Sequence, residues 1–112
     1  LAKDILNGYR RPRYNVSLAQ VLQTVADHYG MSVEELVGPR RTGPLSQARQ
    51  VAMYLAREIT TTSLPQIGEA FGGRKHSTVI HSWNKIVEDM ENDPVLYSIV
   101  QDIRTRLMKI RE

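Results

Sequence analysis

The segment GGRKHSTVIHSWNKI, Gly72 to Ile86, gathers the side chains that most invite chemistry in this 112-residue chain. Paired glycines ahead of Lys75 and Ser77 could cradle a phosphate, His76 and His81 could hold a metal, and Ser77 beside His76 could pair a nucleophile with a base. The spacing defeats all three. A P-loop runs from a strand through G-x-x-x-x-G-K-[ST] into a helix, whereas here a helical pattern precedes adjacent glycines and Lys75 is followed by His76. Two histidines that share a zinc on one helix lie about one turn apart, while His76 and His81 stand ~140° apart around a helix axis. His28 sits on another segment with no carboxylate or imidazole at ligand spacing. A nucleophile needs a base that faces it and a third group that orients the base, and sequence neighbours supply neither. No catalytic residue, no metal ligand and no cofactor is expected in this stretch of chain.

The elements that must position these residues read as all-α. Apolar residues recur at helical spacing in successive segments, and none alternates as a half-buried strand does. Ser17 and Gln20 form a capping-box pair ahead of Leu18, Val21, Leu22, Val25 and Tyr29, with Gly30 as the stop. Ser32 and Glu35 repeat the signature for a short helix through Leu36, stopped by Gly38 and Pro39. After the loop GPRRTGP a long helix is expected from about Leu45 to Ile59, with Ala48, Val51, Ala52, Leu55 and Ile59 inward and Arg49, Gln50 and Arg57 off that stripe. TTTS breaks it, because threonine hydroxyls compete for backbone groups. Ser63 and Gln66 cap a helix from Leu64 to Phe71 with Pro65 in its first turn, Gly72 and Gly73 close it, and another begins near His76. On that helix Val79, Ile80, Trp83, Ile86, Val87 and Met90 share an apolar sector opposite Ser77, Thr78, His81, Lys85 and Glu88. Trp83 is expected in the core, at a cost of about 3 to 5 kcal/mol on replacement by Ala. Asp93 and Pro94 open a last helix with Leu96, Ile99, Val100, Ile103, Leu107 and Ile110 inward.

Composition fits one soluble domain: 41% hydrophobic and 24% charged residues, and no cysteine. No apolar run approaches the roughly 20 residues needed to cross a bilayer, so a cytoplasmic location is expected. The chain begins at Leu1 rather than Met and reads as a piece of a longer protein, with residues 1–15 the end of a preceding domain and a connector, and 16–112 the domain proper. The formal charge is only +3 but is unevenly placed. Between Leu36 and Lys85 stand Arg40, Arg41, Arg49, Arg57, Arg74, Lys75 and Lys85 against Glu58 and Glu69 alone, the electrostatic footprint of a nucleic-acid binder or of a surface for acidic partners.

A short helix, a glycine turn and a second helix with small polar residues at its start make a helix-turn-helix, which lays the second helix in a DNA major groove. There Thr methyls can touch thymine, and imidazole or hydroxyl groups can hydrogen-bond base edges. The helix N-terminus and Arg74 favour phosphates. GPRRTGP, stiffened by prolines and tipped by Arg40 and Arg41, suits insertion of an arginine into a narrow minor groove. Arg49, Gln50 and Arg57 could reach the phosphates between the two grooves. A helical domain that offers its basic face to an acidic protein partner remains open on these residues.

LPQIGEAFGGRKHSTVIHSWNKI, preceded by RRTGPLSQARQVAMYLAREIT, resembles the C-terminal DNA-binding domain of the bacterial DnaA replication-initiator family, whose motif reads Gly-Gly-Arg-Asp-His-Thr/Ser-Thr-Val. The match runs from Leu18 to about Lys85. The resemblance implies a helical domain that binds double-stranded DnaA boxes at the replication origin. His76, Ser77 and Thr78 match positions that meet bases in the major groove, Arg41 the minor-groove arginine, and Arg40, Gln50 and Arg57 positions at the DNA backbone. Leu64 and Pro65 belong to the same contact set, Pro65 close to a thymine methyl, as do Arg74 and Lys75. It also implies a monomeric domain in isolation, an oligomer on the origin for the whole protein, ATP binding and hydrolysis in another domain, and possible acidic-phospholipid contact near RRPRY, Arg10 to Tyr14. An HTH transcription repressor would share this architecture.

Two residues depart from the family pattern. Lys75 stands where the family usually has Asp, so an acceptor-only carboxylate becomes a donor-only ammonium that cannot accept from a cytosine amino group. It also removes a good N-cap. Gly43 and Gln47 replace further arginines of some relatives.

Overall fold

The computed structural model describes residues 16–40 and 42–110. They form six helices in the order α1 (Leu18–Tyr29), α2 (Val33–Val37), α3 (Gly43–Ile59), α4 (Leu64–Ala70), α5 (His76–Asn92) and α6 (Pro94–Ile110), with no strand among the described residues. All-α is the architecture the periodicity predicts.

The helix boundaries come from local chemistry. All three anticipated capping boxes form: Ser17 with Gln20, Ser32 with Glu35 and Ser63 with Gln66 each exchange a backbone N–H for the partner's side-chain oxygen. Gly30 ends α1 in the left-handed conformation at φ 69°. After α3, the Thr60 hydroxyl donates back to the Ala56 carbonyl at 2.6 Å and accepts from Thr62 N–H at 3.1 Å, which diverts the chain from helix. At the start of α6, Asp93 Oδ1 accepts from Val95 N–H at 3.0 Å and Leu96 N–H at 3.2 Å. The long helix starts at Gly43, two residues earlier than Leu45, because Pro44 fits a first turn where its missing N–H costs nothing.

Helix α3 is the axis of the fold and packs against α1, α2, α4 and α5. Its stripe of Ala48, Val51, Ala52, Leu55 and Ile59 is buried as anticipated, and Leu45, Met53, Tyr54 and Ala56 widen it. Each fully buried Val, Leu or Ile adds about 1.5 to 3 kcal/mol relative to an exposed one. Helix α6 closes the other side against α1 and α5, with Leu96, Val100, Ile103 and Leu107 buried.

Trp83 is not at the centre of the core. Val79, Ser82 and Ile86 are the buried residues of α5. α5 packs chiefly against α3, and the small Ser82, rather than an indole, occupies the buried position there. Trp83 is turned to the margin and is half-buried. Its loss removes less apolar contact than the full core cost anticipated from the sequence.

Candidate nucleic-acid interface

The turn between α4 and α5 determines what the rest of the site can do. Gly72 and Gly73 both lie in the left-handed region, at φ 81° and 82°, a pairing that any side chain would strain. The chain then folds back so closely that Arg74 N–H donates to the Gly68 carbonyl at 2.9 Å. A Cβ on Gly68 would stand 2.1 Å from the Arg74 carbonyl oxygen, so this helix position admits only glycine without backbone movement. α5 then opens at His76 with Lys75 as its N-cap, and no side chain caps it.

This geometry leaves Lys75, His76, Ser77 and Thr78 all exposed around the first turn of α5. Small or polar side chains there, with N–H groups of the first turn uncapped by any side chain, can meet base edges and phosphates together. Thr78 and Ser82 of α5, Ser46 and Gln50 of α3, and Arg74 line an open groove beside that turn. Gln50 and Arg57 are seven residues apart on α3 and so share one face, about 10 Å apart along the axis. Arg57 is exposed and Gln50 half-buried. At the start of α4, Pro65 is exposed and Leu64 half-buried against the core.

Arg49 is not a free phosphate contact on the helix surface. It is 6% exposed, and its guanidinium donates from Nε to the Leu36 carbonyl at 2.8 Å, from Nη1 to the Arg40 carbonyl at 2.8 Å and from Nη2 to the Glu35 carbonyl at 3.3 Å. It gathers carbonyls at the end of α2 and holds the loop that carries Arg40. The signal was present in the sequence: Arg49 falls between Leu45 and Met53, four residues away on either side and both buried, which aims it inward. Arg74 is also engaged by the fold, donating to the Phe71 carbonyl from Nη1 and to the Gly38 carbonyl from Nη2 at 3.2 Å. It ties the α4–α5 turn to the same loop. Val37, Gly38 and Pro39 on one side and Phe71 and Gly72 on the other form the seam between them.

Arg40 is exposed on that loop. Arg41, the arginine expected in the minor groove, lies outside the described residues, as do the connector at 1–15 and its Arg10 to Tyr14 stretch. Among the described residues no group of three His, Asp or Glu side chains could hold a metal ion, and no helix is long and apolar enough to cross a membrane.

A family model described as the bacterial dnaA protein helix-turn-helix matches residues 18–86, more than half of the chain and the whole run from α1 into α5. The chain belongs to the bacterial DnaA helix-turn-helix family. The chromosomal replication initiator protein DnaA of Symbiobacterium thermophilum is 41% identical over 105 residues, which cover 94% of this chain and 22% of that protein. That of Oenococcus oeni is 44% identical over 107 residues, covering 95% of this chain and 24% of that protein. The chain thus spans about a quarter of the length of these curated relatives. A solved structure described as a DNA replication initiation factor superimposes with a TM-score of 0.74 at 29% identity, covering 85% of this chain and 29% of that one. The matched region is the helix-turn-helix of a DnaA-type initiator, a DNA-binding domain and not a catalytic one. The resemblance seen in the sequence is thereby borne out at the level of family and fold.

Proposed function

We propose that this DnaA-family domain recognises DnaA-box duplexes at a replication origin, with the first turn of α5 in the major groove and Arg41 in the adjacent minor groove. The observation that carries the reading is the exposed quartet Lys75, His76, Ser77 and Thr78, presented by a glycine turn whose backbone is fixed to Gly68. His76, Ser77 and Thr78 meet base edges, Pro65 meets a thymine methyl, and Leu64 supports it from the start of α4. Arg40, Gln50 and Arg57 contact backbone phosphates, and Arg74 adds its charge beside them while it holds the turn. Lys75 donates to a phosphate or a guanine edge where an aspartate would have accepted.

On the same reading, residues 16–112 are the DNA-binding domain and 1–15 a connector from a preceding domain that binds and hydrolyses ATP. The domain alone is a monomer without a cofactor, and the whole protein assembles on the origin in the cytoplasm, beside the nucleoid. Contact of the connector with acidic phospholipid rests on its three arginines. A repressor function on an unrelated operator is distinguished by the DNA target alone.

Fluorescence anisotropy with a labelled DnaA-box duplex and a scrambled duplex, across a salt series, tests the assignment. Specific recognition gives a box preference of several orders of magnitude that persists as salt rises. Equal, salt-sensitive binding to both duplexes would leave a basic helical domain with no origin specificity.

A further inference from the structure

The sole tryptophan of the chain stands at the margin of the core rather than inside it, and three residues of α3 converge on its ring. The Tyr54 ring stacks with the indole at a centroid separation of 6.2 Å and 28° between planes. Glu58 Oε2 accepts the indole N–H at 2.9 Å and so fixes the rotation of the ring about its own axis. Arg57 lays its guanidinium over the indole, 4.5 Å from the ring centroid. Tyr54 is held in turn by the core and by Arg104, whose Nη2 donates to the Tyr54 hydroxyl at 3.3 Å. Positions 54, 57 and 58 occupy one side of α3, one turn apart, which is why a single ring from α5 can receive all three.

An exposed arginine ordinarily loses much rotamer freedom when it binds a phosphate. Here the guanidinium already rests on a flat π surface whose orientation is fixed by a hydrogen bond and a second ring. Cation–π contact holds the charge by one face, and the in-plane N–H donors stay free to engage phosphate oxygens. From this geometry we infer that Trp83 is a positioning residue for DNA binding, acting through Arg57, which it holds ready for a backbone phosphate. The inference rests on the phosphate role given to Arg57 above. Trp83 itself touches no DNA.

A double-mutant cycle on the 112-residue chain tests it, with affinity read by anisotropy on the box duplex and the scrambled duplex, and folding read by circular dichroism. Trp83→Leu weakens binding to both duplexes about two- to fivefold, the amount an exposed cation–π contact supplies. Trp83→Phe, which keeps a π face, restores affinity to near that of the parent. In the Arg57→Ala background Trp83→Leu has no further effect, because the residue through which it acts is gone. Where Trp83→Leu loses its helical signal, Trp83→Met takes its place as an apolar filler without a π face. Equal losses from the Trp83 change with and without Arg57, or no loss at all, would overturn the positioning role. An Arg57→Ala chain that binds like the parent would instead remove the phosphate role of Arg57, and the inference with it. The two failures are told apart by the Arg57→Ala chain alone.

Discussion

Lys75 has two consequences at the scale of one residue. It occupies the N-cap of α5 with extended backbone, φ −70° and ψ 152°, but contributes no side-chain hydrogen bond to the first turn, and its positive charge faces the positive end of the helix. An aspartate in the same conformation would accept a first-turn N–H and reverse the unfavourable charge. Lys75→Asp is therefore expected to raise stability by about 1 kcal/mol in urea unfolding. It is also expected to change base preference at one position of the box, read on a panel of single-base variants. An unchanged panel with raised stability would restrict Lys75 to the helix end. Arg49 shows a different residue-scale lesson. The stripe of small and branched apolar residues leaves it among the solvent-facing side chains, but the Glu35 and Leu36 carbonyls at the end of α2 and the Arg40 carbonyl on the loop beyond it all lie within reach of its long side chain with a forked head. A stripe drawn through Ala48, Val51, Ala52, Leu55 and Ile59 leaves Arg49 outside it, which the structure overturns; adding Leu45 and Met53 to the stripe turns the residue inward. What periodicity could not give was the location of the carbonyls, which depends on how α2 meets α3.

At the scale of elements, the α4–α5 pair depends on the close approach at Gly68. A Cβ there meets the Arg74 carbonyl oxygen at 2.1 Å, and that atom is backbone, so relief requires the turn to pull away from α4. Gly68→Ala is expected to destabilise the domain by about 1 to 3 kcal/mol in urea unfolding, with loss of box affinity beyond what the unfolded fraction explains. The α1–α3 contact makes a separate prediction. The Tyr29 hydroxyl donates to Gln47 Oε1 at 2.7 Å, and burial pushes its pKa from the ordinary 10.0 up to about 12. The folded state therefore holds this proton more tightly than the unfolded chain does. The corresponding stability is complete below pH 10.0 and is lost as pH rises towards about 12. Tyr29→Phe should be less stable than the parent at neutral pH and should lose less stability across that alkaline window, measured by urea unfolding at each pH. The capping boxes, the glycine turn and the Asp93 cap were all legible because each is set within four residues. The tie from Arg74 to Gly38 was not, because it joins positions 36 residues apart.

At the scale of the whole molecule, part of the uneven positive charge holds the fold together. Arg49 and Arg74, two of the arginines that made the sequence look basic, are spent on holding the Arg40 loop against the α4–α5 turn. The residues proposed to read DNA therefore sit on elements fixed to one another rather than on independent arms, and their contributions separate by chemistry. His76 is exposed at the start of α5 and reads a base edge on the proposed function, so His76→Ala should cost about 1 to 3 kcal/mol on the box duplex. It should leave the scrambled duplex and the salt dependence nearly unchanged. Arg57, a phosphate contact on the same proposed function, should behave oppositely: Arg57→Ala should weaken both duplexes alike and lower the slope of log affinity against log salt by about 1. Anisotropy titrations of the two variants across the same salt series measure both quantities. If His76→Ala weakens the two duplexes equally, α5 lies on the backbone rather than in the groove, and specificity must come from the Arg41 loop.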